Sequence, residues 1–189
     1  MKYYIEITLR YDPEIGLGFL WKRFFTQIHL ALVEYGKGDI GVSFPGYQES
    51  HFPLGDRLRL FGYSINNLEN LKIDTWMNKL QDYLYISEIK QVPEDIATHV
   101  RFVRRQPKID FMKRVAKQAK RHNKTIKEAL EHFKNYDKDN YLKLPYINMY
   151  SQTHKENFPL FVDKIDEPSS LIGKFDTYGL SKSATVPWF

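Results

Sequence analysis

Between residues 2 and 92 the hydrophobic spacing alternates between a period of two and a helical period, and the order of the switches restricts the fold. Tyr3, Ile5, Ile7 and Leu9 lie on one face of an alternating segment, with Glu6, Thr8 and Arg10 opposite, which is the pattern of a half-buried strand. Asp12-Pro13 and the glycines at 16 and 18 supply a turn. Leu17, Leu20, Trp21, Phe24, Phe25, Ile28 and Leu32 then recur at helical spacing, with Gly36 as a stop. Ile40 to Phe44 and Arg57 to Tyr63 read as two strands, the first ended by Pro45. Leu68, Leu71, Trp76, Leu80 and Leu84 suggest one helix starting near Asn66, and Tyr85 to Val92 a closing strand. The order strand, helix, strand, strand, helix, strand is that of a ferredoxin-like α+β domain, expected over residues 1–95. This fold is common among RNA-binding proteins, but a fold does not by itself give a function.

After Pro93 the composition changes, and residues 96–189 are expected to form a second domain. His99 to Gln106 reads as a strand, and Pro107 with Asp110 prepares a helix running from Phe111 to His122. Thr125-Ile-Lys-Glu128 has the form of a capping box, so a short helix should begin there. Residues 135–140 read as a loop. Tyr146 to Tyr150, Phe158 to Val162 and Gly173 to Tyr178 look like short strands.

Charge is concentrated in this second part. Residues 97–124 hold ten Lys or Arg against one acid, Asp110, whereas the rest of the chain holds 18 basic and 22 acidic side chains. A basic stripe on an otherwise slightly acidic chain is the electrostatic footprint of a phosphate-backbone binder, though a solvated charged helix has the same composition. Lys113, Lys117, Lys120 and Lys124 follow the spacing i, i+4, i+7, i+11, with Arg114 and Arg121 one row beside them. Met112, Val115, Ala116 and Ala119 leave this helix only a narrow apolar face. Six cations tracking phosphates would make binding strongly salt dependent. Arg104-Arg105-Gln106 just before it offers planar hydrogen-bonding groups. Arginine suits the O6 and N7 edge of guanine and glutamine suits adenine, so base reading and phosphate contact both stay open here.

The chain has no cysteine, so disulfides and thiolate metal sites are excluded. Its six histidines (29, 51, 99, 122, 132 and 154) show no metal-ligand spacing, and the carboxylates form no paired motif, so neither a metal-dependent nuclease nor a cofactor is expected. No apolar run approaches the roughly 18 residues of a membrane span, and the charged, alternating N-terminus is unlike a secretory signal, which favours the cytoplasm. His29 sits on a mostly apolar helix, where a lone histidine is commonly a satisfied core or edge residue. Two polar turns could complete a site with it: Tyr150 to Asn157, which holds Ser151, Thr153 and His154, and Tyr178-Gly-Leu-Ser-Lys182.

Several segments resemble one family in order and spacing from residue 1 to 189. They are Ile28-His-Leu-Ala-Leu32, Gly41-Val-Ser-Phe-Pro45, Leu54-Gly-Asp-Arg-Leu-Arg-Leu60 and Val103-Arg-Arg-Gln106. Further on come Lys120-Arg-His122, Leu144-Pro-Tyr146 with Ser151-Gln152, and Tyr178-Gly-Leu-Ser-Lys182 with Val186-Pro-Trp-Phe189. On these the chain resembles the type I-F CRISPR repeat-processing endoribonucleases (the Csy-type enzymes). The resemblance implies an N-terminal ferredoxin-like domain and a degenerate ferredoxin-like RNA-binding domain. It implies cleavage of precursor CRISPR RNA at the 3′ base of each repeat hairpin without a metal, and retention of the crRNA among the other subunits of the surveillance complex. By position, His29 matches the catalytic histidine, Ser151 the serine that places the attacking ribose, and Tyr178 the tyrosine that supports the site. Arg104 and Gln106 match the base-reading pair at the stem foot, Lys117, Lys120 and Arg121 match three arginines of the groove helix, and Phe158 matches an aromatic that stacks on a base. Lys108, Lys113 and Arg114 join the expected RNA-binding set through their charge.

This sequence also departs from the family pattern. Lysine at 117 and 120 keeps the charge but loses the bidentate fork, so phosphate contact is expected there. Ala116 stands at a common basic position, and Tyr150 where arginine is frequent. An A-form major groove is too narrow for side chains along its length, so the helix should enter near a stem end. The expected chemistry is attack of the 2′-OH on the neighbouring phosphate, with Ser151 holding the ribose and His29 moving the proton as base or acid, giving a 2′,3′-cyclic phosphate and a 5′-OH. The competing reading is a hairpin-binding cap without catalysis, and a third is a general RNA-binding protein.

Overall fold

The computed structural model describes residues 1–49, 52–106, 111–132, 143–151 and 154–189. The chain forms two compact units: Met1–Arg104 with Pro145–Phe189, and Arg105–Leu144.

In the first unit, β1 (Tyr3–Leu9) leads into α1 (Leu17–Tyr35), followed by β2 (Gly41–Ser43) and β3 (Arg57–Gly62). After α2 (Ile65–Glu69), α3 (Ile73–Met77) and a 3₁₀ segment (Asn78–Tyr83) come β4 (Leu84–Ile86) and β5 (Lys90–Gln91). The sheet order is β2-β3-β1-β4, with β5 also on β1, and the pairs are antiparallel. That is the ferredoxin-like arrangement the periodicity calls for. The single helix expected after Asn66 is instead three pieces. Ser64 caps α2 through a reciprocal pair with Asn67, and Lys72 then adopts a left-handed φ of 49°, which no helix can pass through unbroken. The closing strand is also divided. Between β4 and β5 the Ser87 hydroxyl accepts from the Glu6 amide of β1 at 3.0 Å, where a continuous strand would offer a backbone carbonyl.

The same unit carries a second sheet, ordered β7-β8-β6-β9. Its strands are β6 (His99–Arg105), β7 (Tyr146–Ser151), β8 (Glu156–Glu167) and β9 (Val186–Pro187). Strand β8 is much longer than the expected Phe158–Val162, and β9 lies where none was expected. Residues 173–178, expected as a strand, form an irregular segment and a turn. The core joins the sheets through α1. Trp21, Phe24, Phe25 and Ile28 are fully buried on its inner face, and Trp21 donates to the Gly55 carbonyl at 2.8 Å. Phe44 meets Phe102 edge-on at 5.1 Å, and the Tyr47 hydroxyl donates to the Val162 carbonyl at 2.9 Å. Full burial of an aromatic side chain contributes about 1.5–3 kcal/mol, so these rings fix how α1 is rotated and which of its residues face outward.

In the second unit the basic helix, α4 (Phe111–Arg121), is followed by α5 (Ile126–His132). Asn123 takes a left-handed φ of 52° and the Lys124 amide donates to the Ala119 carbonyl at 2.9 Å, a Schellman-type stop. The capping box at Thr125 forms as expected, with Glu128 accepting from the Thr125 amide at 2.8 Å and Thr125 accepting from the Glu128 amide at 3.2 Å. Val115 and Ala119 pack against Ala129 and Leu130. Ala116, expected on the apolar face, is exposed.

Candidate active site

The inward face of α1 is anchored in the core, and this leaves His29 half-exposed on another face. His29 Nδ1 lies 2.7 Å from the Thr177 carbonyl oxygen. A carbonyl only accepts, so Nδ1 carries the proton and, in the neutral ring, Nε2 keeps its lone pair. The imidazole also stacks on the Tyr178 ring, with centroids 4.2 Å apart and planes 9° from parallel. One hydrogen bond and one stack therefore set both the tautomer and the plane of the histidine.

Residues 176–180 present both contacts because the Asp176 carboxylate organises them. Its Oδ1 accepts from the amides of Tyr178 at 2.8 Å and Leu180 at 3.0 Å. The Gly179 amide donates to the Asp176 carbonyl at 2.9 Å, and the Gly179 carbonyl accepts from the Val42 amide on β2 at 3.0 Å. Gly179 has a φ of +72°, and a Cβ there would stand 2.4 Å from Val42 Cγ1. Glycine is thus required by both backbone and space. Burial pushes the Asp176 carboxyl above its ordinary range, opposed by its two amide bonds and by the charges of Arg104 and His29. Burial also raises the Tyr178 phenol, opposed by the Arg104 charge.

Arg104, near the end of β6, completes the cluster. Its guanidinium carbon lies 5.1 Å from the Tyr178 ring centroid and 5.6 Å from that of Phe158 on β8. Its Nε is buried without a hydrogen-bond partner among the described residues. Arg104, Phe158, Tyr178 and His29 therefore form one chain of contacts. Asp176 and the Thr177 carbonyl belong to it as well, although the sequence reading left both out. The Asp-x-x-Gly spacing of a tight turn at 176–179 was the available signal.

Ser151 ends β7, paired with Glu156 on β8, and β7 packs on α1. Lys22 on α1 donates to Asn157 of this hairpin at 2.9 Å. The Ser151 hydroxyl accepts from the His154 amide at 3.1 Å, so among the described residues its side chain bonds within its own turn and not to His29. In the second unit, Gln106 and the helix residues Lys117, Lys120 and Arg121 are all exposed. Lys108 lies outside the described residues, as do the side chains of Lys113 and Arg114. Among the described residues, no group of three or more His, Cys, Asp or Glu side chains could hold a metal ion, and no helix is long and apolar enough to cross a membrane.

A histidine of fixed tautomer, a stacked phenol and a half-buried guanidinium on a ferredoxin-like scaffold leave one ring nitrogen able to exchange a proton, with a cation nearby. Comparison with known proteins gives the family. Residues 4–189 match the CRISPR-associated proteins described as Cas_Csy4, and the chain belongs to that family. It is 35% identical over 192 residues to the CRISPR-associated endonuclease Cas6/Csy4 of Escherichia coli (strain UTI89 / UPEC), covering all of both chains. It is 35% identical over 191 residues to the protein of the same name from Pseudomonas aeruginosa (strain UCBPP-PA14), again over the full length of both.

Proposed function

We propose that this protein is a metal-independent endoribonuclease that binds the hairpin of a CRISPR repeat and cleaves the precursor at the 3′ base of the stem. The observation that carries the reading is the fixing of His29 Nδ1 by the Thr177 carbonyl, which leaves Nε2 to exchange a proton. Histidine changes charge near neutrality, so it can take the 2′-OH proton or give one to the leaving 5′ oxygen. The attacking oxygen and the phosphate share one nucleotide, so alignment can supply several kcal/mol of the barrier. In this reading Ser151 holds the ribose and Tyr178 supports His29. Residues 1–95 supply the histidine and residues 96–189 most of the RNA contacts. Arg104 and Gln106 read bases at the stem foot, Phe158 stacks on one, and Lys117, Lys120 and Arg121 follow phosphates, with Lys108, Lys113 and Arg114 adding charge. The products are a 2′,3′-cyclic phosphate and a 5′-OH, and the crRNA stays bound as the protein joins the surveillance complex in the cytoplasm.

Cleavage of a matched type I-F repeat RNA in EDTA tests this. His29→Ala should lower the rate by about 10²–10⁴-fold, the usual contribution of a general acid or base, with hairpin affinity nearly unchanged. A 2′-deoxy nucleotide at the cleavage position should block the reaction, and cutting through it would refute the mechanism. Tight binding without cutting in either protein would leave a hairpin cap.

A further inference from the structure

Helix α1 carries a second solvent-facing feature that the cleavage mechanism does not use. Beside it, against α3 and the 3₁₀ segment, lies an open groove of ≈ 580 Å³. Arg23 and Gln27 line it from α1, and Trp76, Asn78 and Lys79 line it from the other wall. Among the described residues, no acidic side chain lines it. Trp76 is half-buried and packs against the core, whereas Arg23, Asn78 and Lys79 are exposed. One turn before Arg23 on α1, Phe19 is 55% exposed, with the Arg23 guanidinium carbon 5.7 Å from its ring centroid. One aromatic ring, two cations and two amides around one groove are the groups that hold single-stranded nucleic acid: rings stack on bases, cations meet phosphates, and amides bond base edges. An apolar peptide would leave both cations desolvated and unpaired.

The position follows from helix geometry. His29 and Arg23 are six residues apart on α1, which turns their side chains about 120° from each other. Thr26, Leu30 and Val33 lie on the ridge between them, and Val33 is 56% exposed. A strand leaving His29 reaches the groove by crossing this ridge, about one helix diameter or 10 Å. We infer that the groove is a binding site for the single-stranded RNA downstream of the scissile phosphate, a few nucleotides past the cut. The inference rests on the proposed cleavage function. It concerns the flank, not the hairpin, and makes precursor bind more tightly than cleaved product.

The test uses repeat hairpins with a 2′-deoxy cleavage nucleotide that end at the cut or continue for about two or about eight uridines, within the usual span of a single-strand site. The longer tail should tighten binding about fivefold, the low end for stacking one base on a ring, and the two-nucleotide tail should not. Arg23→Ala with Lys79→Ala should abolish that gain, leave the affinity for the tail-less hairpin unchanged, and lower the salt slope for the tailed RNA by about 1.4, or about 0.7 per lost cation. Trp76→Ala should also remove the gain; the double surface variant decides the matter if that protein folds poorly. A tail that adds nothing in the wild-type protein overturns the inference while leaving the cleavage function standing. A gain that survives the double variant overturns it too and gives the groove to a protein neighbour. Failure of every hairpin to bind refutes the cleavage function and this inference together.

Discussion

Gly179→Ala tests whether the turn at 176–180 holds the site as the geometry indicates. An alanine at a φ of +72° meets the left-handed penalty of about 1–2 kcal/mol. The new Cβ also lands 2.4 Å from Val42 Cγ1 and 3.3 Å from the Val42 amide nitrogen, the group that donates to the Gly179 carbonyl. Val42 is fully buried in β2, so it cannot move aside freely, and overpacking of this kind costs about 1–3 kcal/mol. Restricting the unfolded chain returns about 0.4–1 kcal/mol. The net loss should be about 2–4 kcal/mol, seen as a lower urea midpoint and a Tm lower by roughly 5–15 °C for a chain of this size. Where the protein still folds, Tyr178 and the Thr177 carbonyl shift, and cleavage should fall about 100-fold, as for a catalytic group misplaced by about 1 Å. In a Val42→Ala background the steric part disappears, and Gly179→Ala should cost only the backbone part less the same unfolded-chain return, about 0–1.5 kcal/mol. A loss under about 1 kcal/mol in the wild-type background, or an equal loss in both backgrounds with cleavage intact, would refute the account.

Tyr178→Phe should cleave within about threefold of wild type and Tyr178→Ala about 100-fold slower, because the stack and not the hydroxyl sets the His29 plane; single-turnover rates decide this. Asp176 has its pKa raised above the ordinary 3.8, so its contribution to stability is complete below that value and is lost as pH rises through the shifted one. The wild-type urea midpoint should therefore fall relative to Asp176→Asn between acid and neutral pH, and the opposite trend would show that the carboxylate is net stabilised. Replacing Lys117, Lys120 and Arg121 together by alanine should leave the helix folded on Val115 and Ala119 but reduce the slope of log affinity against log salt by about 2.7, or about 0.9 per lost phosphate contact. An unchanged slope in filter-binding titrations would take these cations off the RNA.

The elements that position His29 were legible because their signals are local and periodic. Strand β1 and helix α1 each bury a face whose spacing is plain in the chain, and β3 keeps the strand alternation although nearly all of it is buried. The failures fall where one polar group overrides the period. A left-handed Lys72 divides a helix, a Ser87 hydroxyl divides a strand, and the Asp176 carboxylate folds residues 173–178 away from any ladder. The family motifs mark both His29 and Tyr178, but the contact between them is tertiary. Nothing in the spacing shows that the acceptor for His29 is a backbone carbonyl, or that Arg104 lies over two aromatic rings.

The bond from His29 to Thr177 spans 148 residues. Helix α1 can form early and locally, but its histidine gains a fixed tautomer only after most of the chain has been threaded into both sheets. Contacts at such separation are closed late and slowly. During synthesis at about 5–20 residues per second, the nascent protein carries an undirected imidazole for about 7–30 seconds. In the proposed mechanism catalytic competence is then a report of completed topology: a chain that has collapsed but not closed its last turn has the histidine without its fixed tautomer.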